Sequence, residues 1–138
     1  MNRPRSVGVL GGLLAYFGFF GVIGVAFFLR EDAIPVAPSL LLLDNLTTTR
    51  VLQVLAVLYV GALLTAAFAI LQQRFWAVRA YLVFLGTVAL YHIGFLSLIR
   101  VPAPLWLWLV YLGVVGGLLF WGWRVVERHL SPKYVDAV

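Results

Sequence analysis

His92 is the residue whose chemical type and position stand out most in this sequence. In the apolar stretch around it, no other side chain titrates near neutral pH. Counting back from Ile99, it lies roughly 10 Å from the end of that stretch if the stretch is a helix. A lone histidine this far inside an apolar segment can relay protons, ligate haem or contact a quinone carbonyl. The favoured interpretation is a neutral histidine that is hydrogen-bonded to a hydroxyl side chain or a backbone carbonyl.

Tyr81 precedes His92 by eleven residues, a spacing that places both side chains on one face of a helix. A polar stripe is therefore predicted along this helix, and both residues are candidates for cofactor binding. The sequence nevertheless predicts no cofactor, because a membrane b-type haem usually takes two histidines and the second, His129, lies in the C-terminal tail. Without cysteine, and without Ser/His/Asp or His/Glu sets at suitable spacing, no catalytic residue and no metal site is predicted.

The composition indicates in what class of protein these residues lie. Of 138 residues, 64% are hydrophobic and 11% are charged, with a mean hydropathy of +1.05. A soluble domain carries about half apolar and about a quarter charged residues. The chain is therefore predicted to be an integral membrane protein. Its net charge of +5 comes from basic residues that flank the apolar segments, so lipid headgroups are the predicted counter-charge and nucleic acid is not.

Four apolar segments predict an all-α fold, a polytopic four-transmembrane-helix bundle with short loops and one short interfacial segment. A single membrane domain, 1–138, contains predicted spans at about 7–29, 51–71, 77–99 and 105–123. An interfacial outer loop is predicted at 31–50 because Leu40 to Leu43 are too apolar for a solvated connection. Thr47 or Thr48 is predicted to cap the second span, and a cytoplasmic tail is predicted at 124–138.

Basic residues predict the orientation. The side with the N-terminus, the second loop and the C-terminal tail holds seven: Arg3, Arg5, Arg74, Arg79, Arg124, Arg128 and Lys133. The opposite side holds three: Arg30, Arg50 and Arg100. Since basic residues are retained on the cytoplasmic side, both termini are predicted to be cytoplasmic, in a bacterial inner membrane.

Aromatic and basic residues near the span ends predict the membrane interfaces. The predicted anchors are Trp76, Trp106, Trp108, Trp121, Trp123, Arg74, Arg79 and Arg124. In the last span, the tryptophan pairs 106/108 and 121/123 lie roughly 20 to 26 Å apart at 1.5 Å per residue, which brackets a hydrocarbon slab.

Glycines form the most regular pattern in the spans. The predicted helix-packing glycines are Gly8, Gly11, Gly12, Gly18 and Gly21 in the first span, and Gly113, Gly116 and Gly117 in the fourth. Small residues let helix backbones approach closely in lipid, where no hydrophobic effect drives helices together. Packing among the four helices is the favoured interpretation, and a face for a partner helix in another protein is the alternative.

A short motif adds a family resemblance. Arg3-Pro4, the four short-looped spans and the central turn Gln73-Arg74-Phe75-Trp76-Ala77-Val78-Arg79 resemble small bacterial four-helix membrane proteins of the DoxX-like kind. The resemblance implies a place in a respiratory or redox assembly, and it transfers no functional residue to this chain.

The leading functional hypothesis is a non-catalytic accessory or structural subunit that packs against other membrane helices, in a homo- or hetero-oligomer, or against lipids. One alternative is a small oligomeric transporter or channel with His92 lining the path. Another is a membrane enzyme that acts on a lipid or quinone. No Asp or Glu lies within a predicted span, which counts against a transporter driven by carboxylate protonation.

Overall fold

Within the part of the chain that the structure describes, the fold consists of four long α-helices and one short 3-10 turn. A computed structural model describes residues 4–130. The helices are α1 (Arg5–Phe28), α2 (Asn45–Leu71), α3 (Ala77–Leu98) and α4 (Leu105–Leu130), and the 3-10 turn is Pro38–Leu40. Each α-helix is long and apolar enough to cross a bilayer. The predicted all-α, four-transmembrane-helix fold is therefore confirmed.

Helix α2 begins earlier than the predicted span because Asp44 caps it. The Asp44 carboxylate accepts a 3.1 Å hydrogen bond from the Thr47 backbone N–H, which would otherwise have no partner in the first turn. The prediction that Thr47 or Thr48 is the cap is wrong, since both lie inside the helix. At the other end of the chain, α4 runs past Trp123 to Leu130, so the predicted tail begins as helix.

Between α2 and α3 the chain reverses in a tight turn at 72–76. The Arg74 N–H donates to the Ala69 carbonyl at 2.9 Å, and the Gln73 N–H donates to the Ile70 carbonyl at 3.1 Å. This is the Schellman arrangement, in which the residue after the cap takes a left-handed conformation. Gln73 occupies that position with φ of 50°, where glycine is usual. The two helices are thereby joined as antiparallel neighbours.

Side chains of α2 hold the long connection at 29–44 in place. The Gln53 amide donates to the carbonyls of Phe28 and Glu31 at 2.9 and 2.8 Å, which satisfies acceptors at the C-terminus of α1. The Asn45 side chain accepts from the Ile34 N–H at 2.8 Å and donates to the Ile34 carbonyl at 3.0 Å. The connection is therefore joined to α2 by side-chain hydrogen bonds near Glu31 and at Ile34.

The same connection pairs with the end of α3. Leu41 and Ile99 form an isolated antiparallel β-bridge. The Arg100 N–H donates to the Leu40 carbonyl at 2.8 Å, and the Leu42 N–H donates to the Leu98 carbonyl at 3.0 Å. Segments 29–44 and 99–104 thus meet at one end of the bundle, which we call the loop end. The opposite end, which contains the 72–76 turn, is the turn end.

The four-helix core lies in the half of the bundle nearer the turn end. There α1, α2 and α3 contribute buried side chains such as Leu10, Ile70 and Tyr81. All buried residues of α4 lie in its last third: Gly122, Val125, Val126 and Leu130. At the loop end α4 is exposed or half-buried throughout, so the bundle opens between α4 and the other helices.

Candidate functional site

Helix α3 directs two polar side chains at α4. The Tyr81 hydroxyl, in a side chain only 1% exposed, donates to the Leu119 carbonyl at 2.7 Å. His92 Nε2 lies 2.8 Å from the Tyr111 hydroxyl. The two candidate residues therefore share the α3 face toward α4, Tyr81 nearer the turn end and His92 nearer the loop end.

The hydrogen bonds of His92 determine which ring nitrogen carries the proton. Nδ1 lies 2.7 Å from the Val88 carbonyl, which can only accept, so Nδ1 donates. In a neutral ring Nε2 is then unprotonated and accepts the hydrogen of the Tyr111 hydroxyl. The partners, a tyrosine and a backbone carbonyl, are of the kinds that the favoured interpretation of His92 requires.

Two cavities adjoin this His92–Tyr111 pair. The larger, about 560 Å³, lies between the loop-end halves of α3 and α4 and is also lined by Val101 and Ala103 of the segment that joins them. The smaller, about 340 Å³, lies toward α1 and α2, and both cavities are also lined by Tyr91. The His92–Tyr111 hydrogen bond therefore crosses the gap between α3 and α4 at the loop end.

Aromatic rings surround the pair. Tyr91 packs against Tyr59 of α2 with ring centroids 5.6 Å apart and stacks on Phe95 at 6.3 Å. On α4, Trp108 contacts Tyr111 edge to face at 6.1 Å. Such contacts present flat apolar surfaces to the larger cavity, and the His92–Tyr111 pair provides its polar contact.

Two partners of the candidate residues were not predicted. Tyr111 had no distinguishing signal apart from being a tyrosine among the apolar residues of α4. Gly122 lies against the Tyr81 hydroxyl, where a methyl group would collide. Its spacing from Gly113 and Gly117 places it on another face of α4, so it does not belong to the regular glycine pattern in the sequence.

The glycines of α1 lie at the contact with α2. Those with α2 side chains close to the position of an added methyl group are Gly11, Gly18 and Gly21. At Gly11 that group would lie 2.6 Å from Leu71, and at Gly18 it would lie 2.5 Å from Leu64. These glycines let α1 and α2 pack closely. Gly8 is half-buried, in the first turn of α1.

The glycines of α4 have a different environment. An added methyl group at Gly113, Gly116 or Gly117 would meet nothing within 4 Å, and the same is true of Gly12 on α1. At 100° per residue, Gly113 and Gly117 lie on the side of α4 opposite Tyr111, Val115 and Gly122. The small-residue strip of α4 therefore faces away from the bundle.

Most of the predicted interface anchors lie near helix ends, whereas Trp121, Trp123 and Arg124 lie farther inside α4. At the turn end, the Arg74 guanidinium carbon is 5.9 Å from the Phe68 ring centroid, and Trp76 packs on the same ring at 6.3 Å. The remaining anchors at the turn end are Arg79, Trp121, Trp123 and Arg124. At the loop end are Trp106 and Trp108. Arg3 and Lys133, which also enter the orientation argument, lie outside the described residues.

Within residues 4–130, no cluster of three or more His, Asp or Glu side chains is positioned to hold a metal ion. The chain is a four-span integral membrane protein that contacts the lipid bilayer. No protein-family model, no curated protein and no solved structure matches it.

Proposed function

We propose that this protein is a non-catalytic accessory subunit whose helix α4 docks against a helix of another membrane subunit. The observation that carries the proposal is the outward strip of Gly113, Gly116 and Gly117. It lies on α4, whose loop-end half contains no buried residue.

The strip supports docking because of the way helices associate in lipid. Residues at i, i+3 and i+4 share one helix face. Without side chains at three such positions, a second helix can approach the α4 backbone closely, which favours van der Waals contact and weak Cα–H hydrogen bonds. Gly11, Gly18 and Gly21 of α1 already show this use within the chain, because α2 packs against them.

The resemblance to DoxX-like proteins adds a setting to this proposal, a respiratory or redox assembly in a bacterial inner membrane. The proposed orientation places both termini on the cytoplasmic side. Its support is the basic cluster at the turn end, which includes Arg5, Arg74, Arg79, Arg124 and Arg128.

Native electrophoresis after extraction of the membrane in mild detergent tests the proposal. The 15.3 kDa chain is expected to migrate in a larger complex, and the double variant Gly113→Leu/Gly117→Leu is expected to migrate as the monomer. Gly86→Leu is the matched control, because Gly86 also has open space around it but lies on α3. Migration of the unmodified chain as a monomer would overturn the proposal.

Cysteine accessibility tests the orientation, because the chain has no cysteine of its own. A cysteine introduced by Arg128→Cys should react with an impermeant maleimide only after the cells are opened. A cysteine introduced by Ala33→Cys in the loop-end connection should react in intact cells. The reverse pattern would contradict cytoplasmic termini.

A further inference from the structure

The larger cavity beside His92 has the features of a small-molecule site that faces the membrane. Its volume of about 560 Å³ is within the range of roughly 300 to 1,000 Å³ that is usual for ligand pockets. Leu107 and Tyr111, on its α4 side, are 46% and 43% exposed in a part of the chain that lies in lipid. A ligand would therefore enter from the bilayer, between α3 and α4.

The shape of a suitable ligand follows from the rings that line the cavity. Tyr91, Phe95, Trp108 and Tyr111 all contribute to the wall. Aromatic rings in offset or edge-to-face contact gain stabilisation beyond that of the area they bury. A planar ring fits these surfaces better than a lipid acyl chain does.

The polarity of the His92–Tyr111 pair indicates what the ring must carry. His92 Nδ1 donates to Val88, so Nε2 accepts the Tyr111 hydrogen, and this fixes the direction of the hydrogen bond. The Tyr111 oxygen is left with acceptor capacity and no free hydrogen. The pair therefore offers a lone pair to the cavity, and its complement is a hydrogen-bond donor.

A hydroxyl group meets this requirement and a ketone does not. A ligand hydroxyl can donate its hydrogen to the Tyr111 oxygen. A ketone can only accept, so it would leave the Tyr111 lone pair without a partner.

We propose that the cavity between α3 and α4 binds a lipid-soluble molecule with a hydroxyl-bearing aromatic ring, of the alkylphenol or quinol class, with the ring hydroxyl donating to Tyr111. This site is on the opposite side of α4 from the glycine strip, so it is independent of the proposed subunit contact.

Ligand titration followed by ¹⁵N NMR of histidine tests the proposal on the full chain in detergent micelles. The substitution His129→Gln leaves His92 as the only labelled histidine. The free protein should show a protonated Nδ1 and an unprotonated Nε2, and the opposite tautomer would overturn the proposal. The probes are 4-butylphenol, 4-butylacetophenone and butylbenzene, at equal micellar concentration.

Saturable shifts of the His92 signals are expected with 4-butylphenol and much weaker ones with the other two probes. If butylbenzene bound as tightly as 4-butylphenol, the cavity would be a groove that recognises hydrocarbon only. If the ketone bound more tightly than the phenol, the site would present a hydrogen-bond donor. Either result would overturn the proposal.

Variants connect the binding to the described contacts. Tyr111→Phe should weaken phenol binding about three- to tenfold, which corresponds to one net hydrogen bond. Leu107→Trp should abolish it by filling the cavity, because Leu107 is part of the cavity wall. Tyr16→Phe is the control, because Tyr16 is an exposed tyrosine of α1 and does not line the cavity. Unchanged affinity in both Tyr111→Phe and Leu107→Trp, with helicity retained, would place the phenol elsewhere and end the proposal.

Discussion

The Tyr81 hydroxyl donates a 2.7 Å hydrogen bond to the Leu119 carbonyl, and this bond joins a buried polar group of α3 to the backbone of α4. Near the loop end, the hydrogen bond between His92 and Tyr111 is the corresponding link. Two hydrogen bonds thus join α4 to α3. Packed side chains surround the Tyr81 bond, and cavities adjoin the His92 bond.

Tyr81→Phe removes the first link while keeping the ring in place. We expect the free energy of unfolding to fall by about 0.6 kcal/mol, the average for an interhelical hydrogen bond in a membrane protein. Unfolding in mixed detergent micelles, followed by circular dichroism, measures the change. Tyr16→Phe, at a side chain that is 58% exposed on α1, should leave stability unaltered. Equal effects of the two substitutions would show that the Tyr81 hydrogen bond adds nothing.

Gly122→Ala should destabilise the bundle, because the added methyl group would collide with the Tyr81 hydroxyl and lie 3.1 Å from Leu10. The expected cost is about 1 to 3 kcal/mol, as for other overpacked sites. Gly117→Ala on the same helix meets open space and should cost nothing. In the double variant Tyr81→Phe/Gly122→Ala the loss should be smaller than the sum of the single losses, since the colliding hydroxyl is gone. Strictly additive losses would contradict this contact.

Gln73→Gly should stabilise the protein by about 1 kcal/mol, because glycine adopts the left-handed conformation without the steric cost that a Cβ brings. Gln72→Gly is the matched control. Gln72 has φ of −87°, a right-handed conformation in which glycine brings only an entropic cost. Thermal unfolding of both variants in the same detergent measures the difference, and a loss of stability in Gln73→Gly would contradict the described turn.

The Asp44 cap should make stability depend on acidic pH. Hydrogen bonds from the side chain and the backbone N–H of Thr47 lower the pKa of Asp44 from its ordinary value of 3.8. Because the folded state has the lower pKa, the stabilisation is fully present above the ordinary value and is lost as the pH falls through the folded value. Asp44→Asn keeps an acceptor that does not titrate.

The measurement for Asp44 is the melting temperature from neutral pH down to about pH 2, compared between the unmodified chain and Asp44→Asn. The difference between the two should change as the pH falls below the ordinary pKa of the carboxyl group and stay constant above it. A constant difference over the whole range would mean that the Asp44 charge does not matter for the cap.

Much of the fold could be predicted from hydropathy, because four long apolar runs in a chain with 11% charged residues have few alternatives to a helical bundle. The shared face of Tyr81 and His92 also followed from their spacing. The side of each helix that meets its neighbours could not be predicted, since most faces of a membrane helix are apolar. For that reason the partner of His92, Tyr111, was not identified.

Local chemistry explains the other differences between the predictions and the structure. Thr47 and Thr48 are acceptable helix caps by residue type, and the structure shows that Asp44 takes that position about one turn earlier. Gln73 gives no sign of a left-handed residue, because glycine is the usual signal for one. Glycine spacing alone does not distinguish the glycines of α1 that pack against α2 from those of α4 that face outward.

Photocrosslinking from the strip on α4 tests the proposed docking most directly. Because the chain has no cysteine, a photoactivatable maleimide can be placed at a single position in native membranes, by Gly113→Cys or Gly117→Cys. We expect a defined protein adduct from both positions and only lipid adducts from Gly86→Cys on α3. Lipid adducts alone from all three positions would contradict a partner helix on α4.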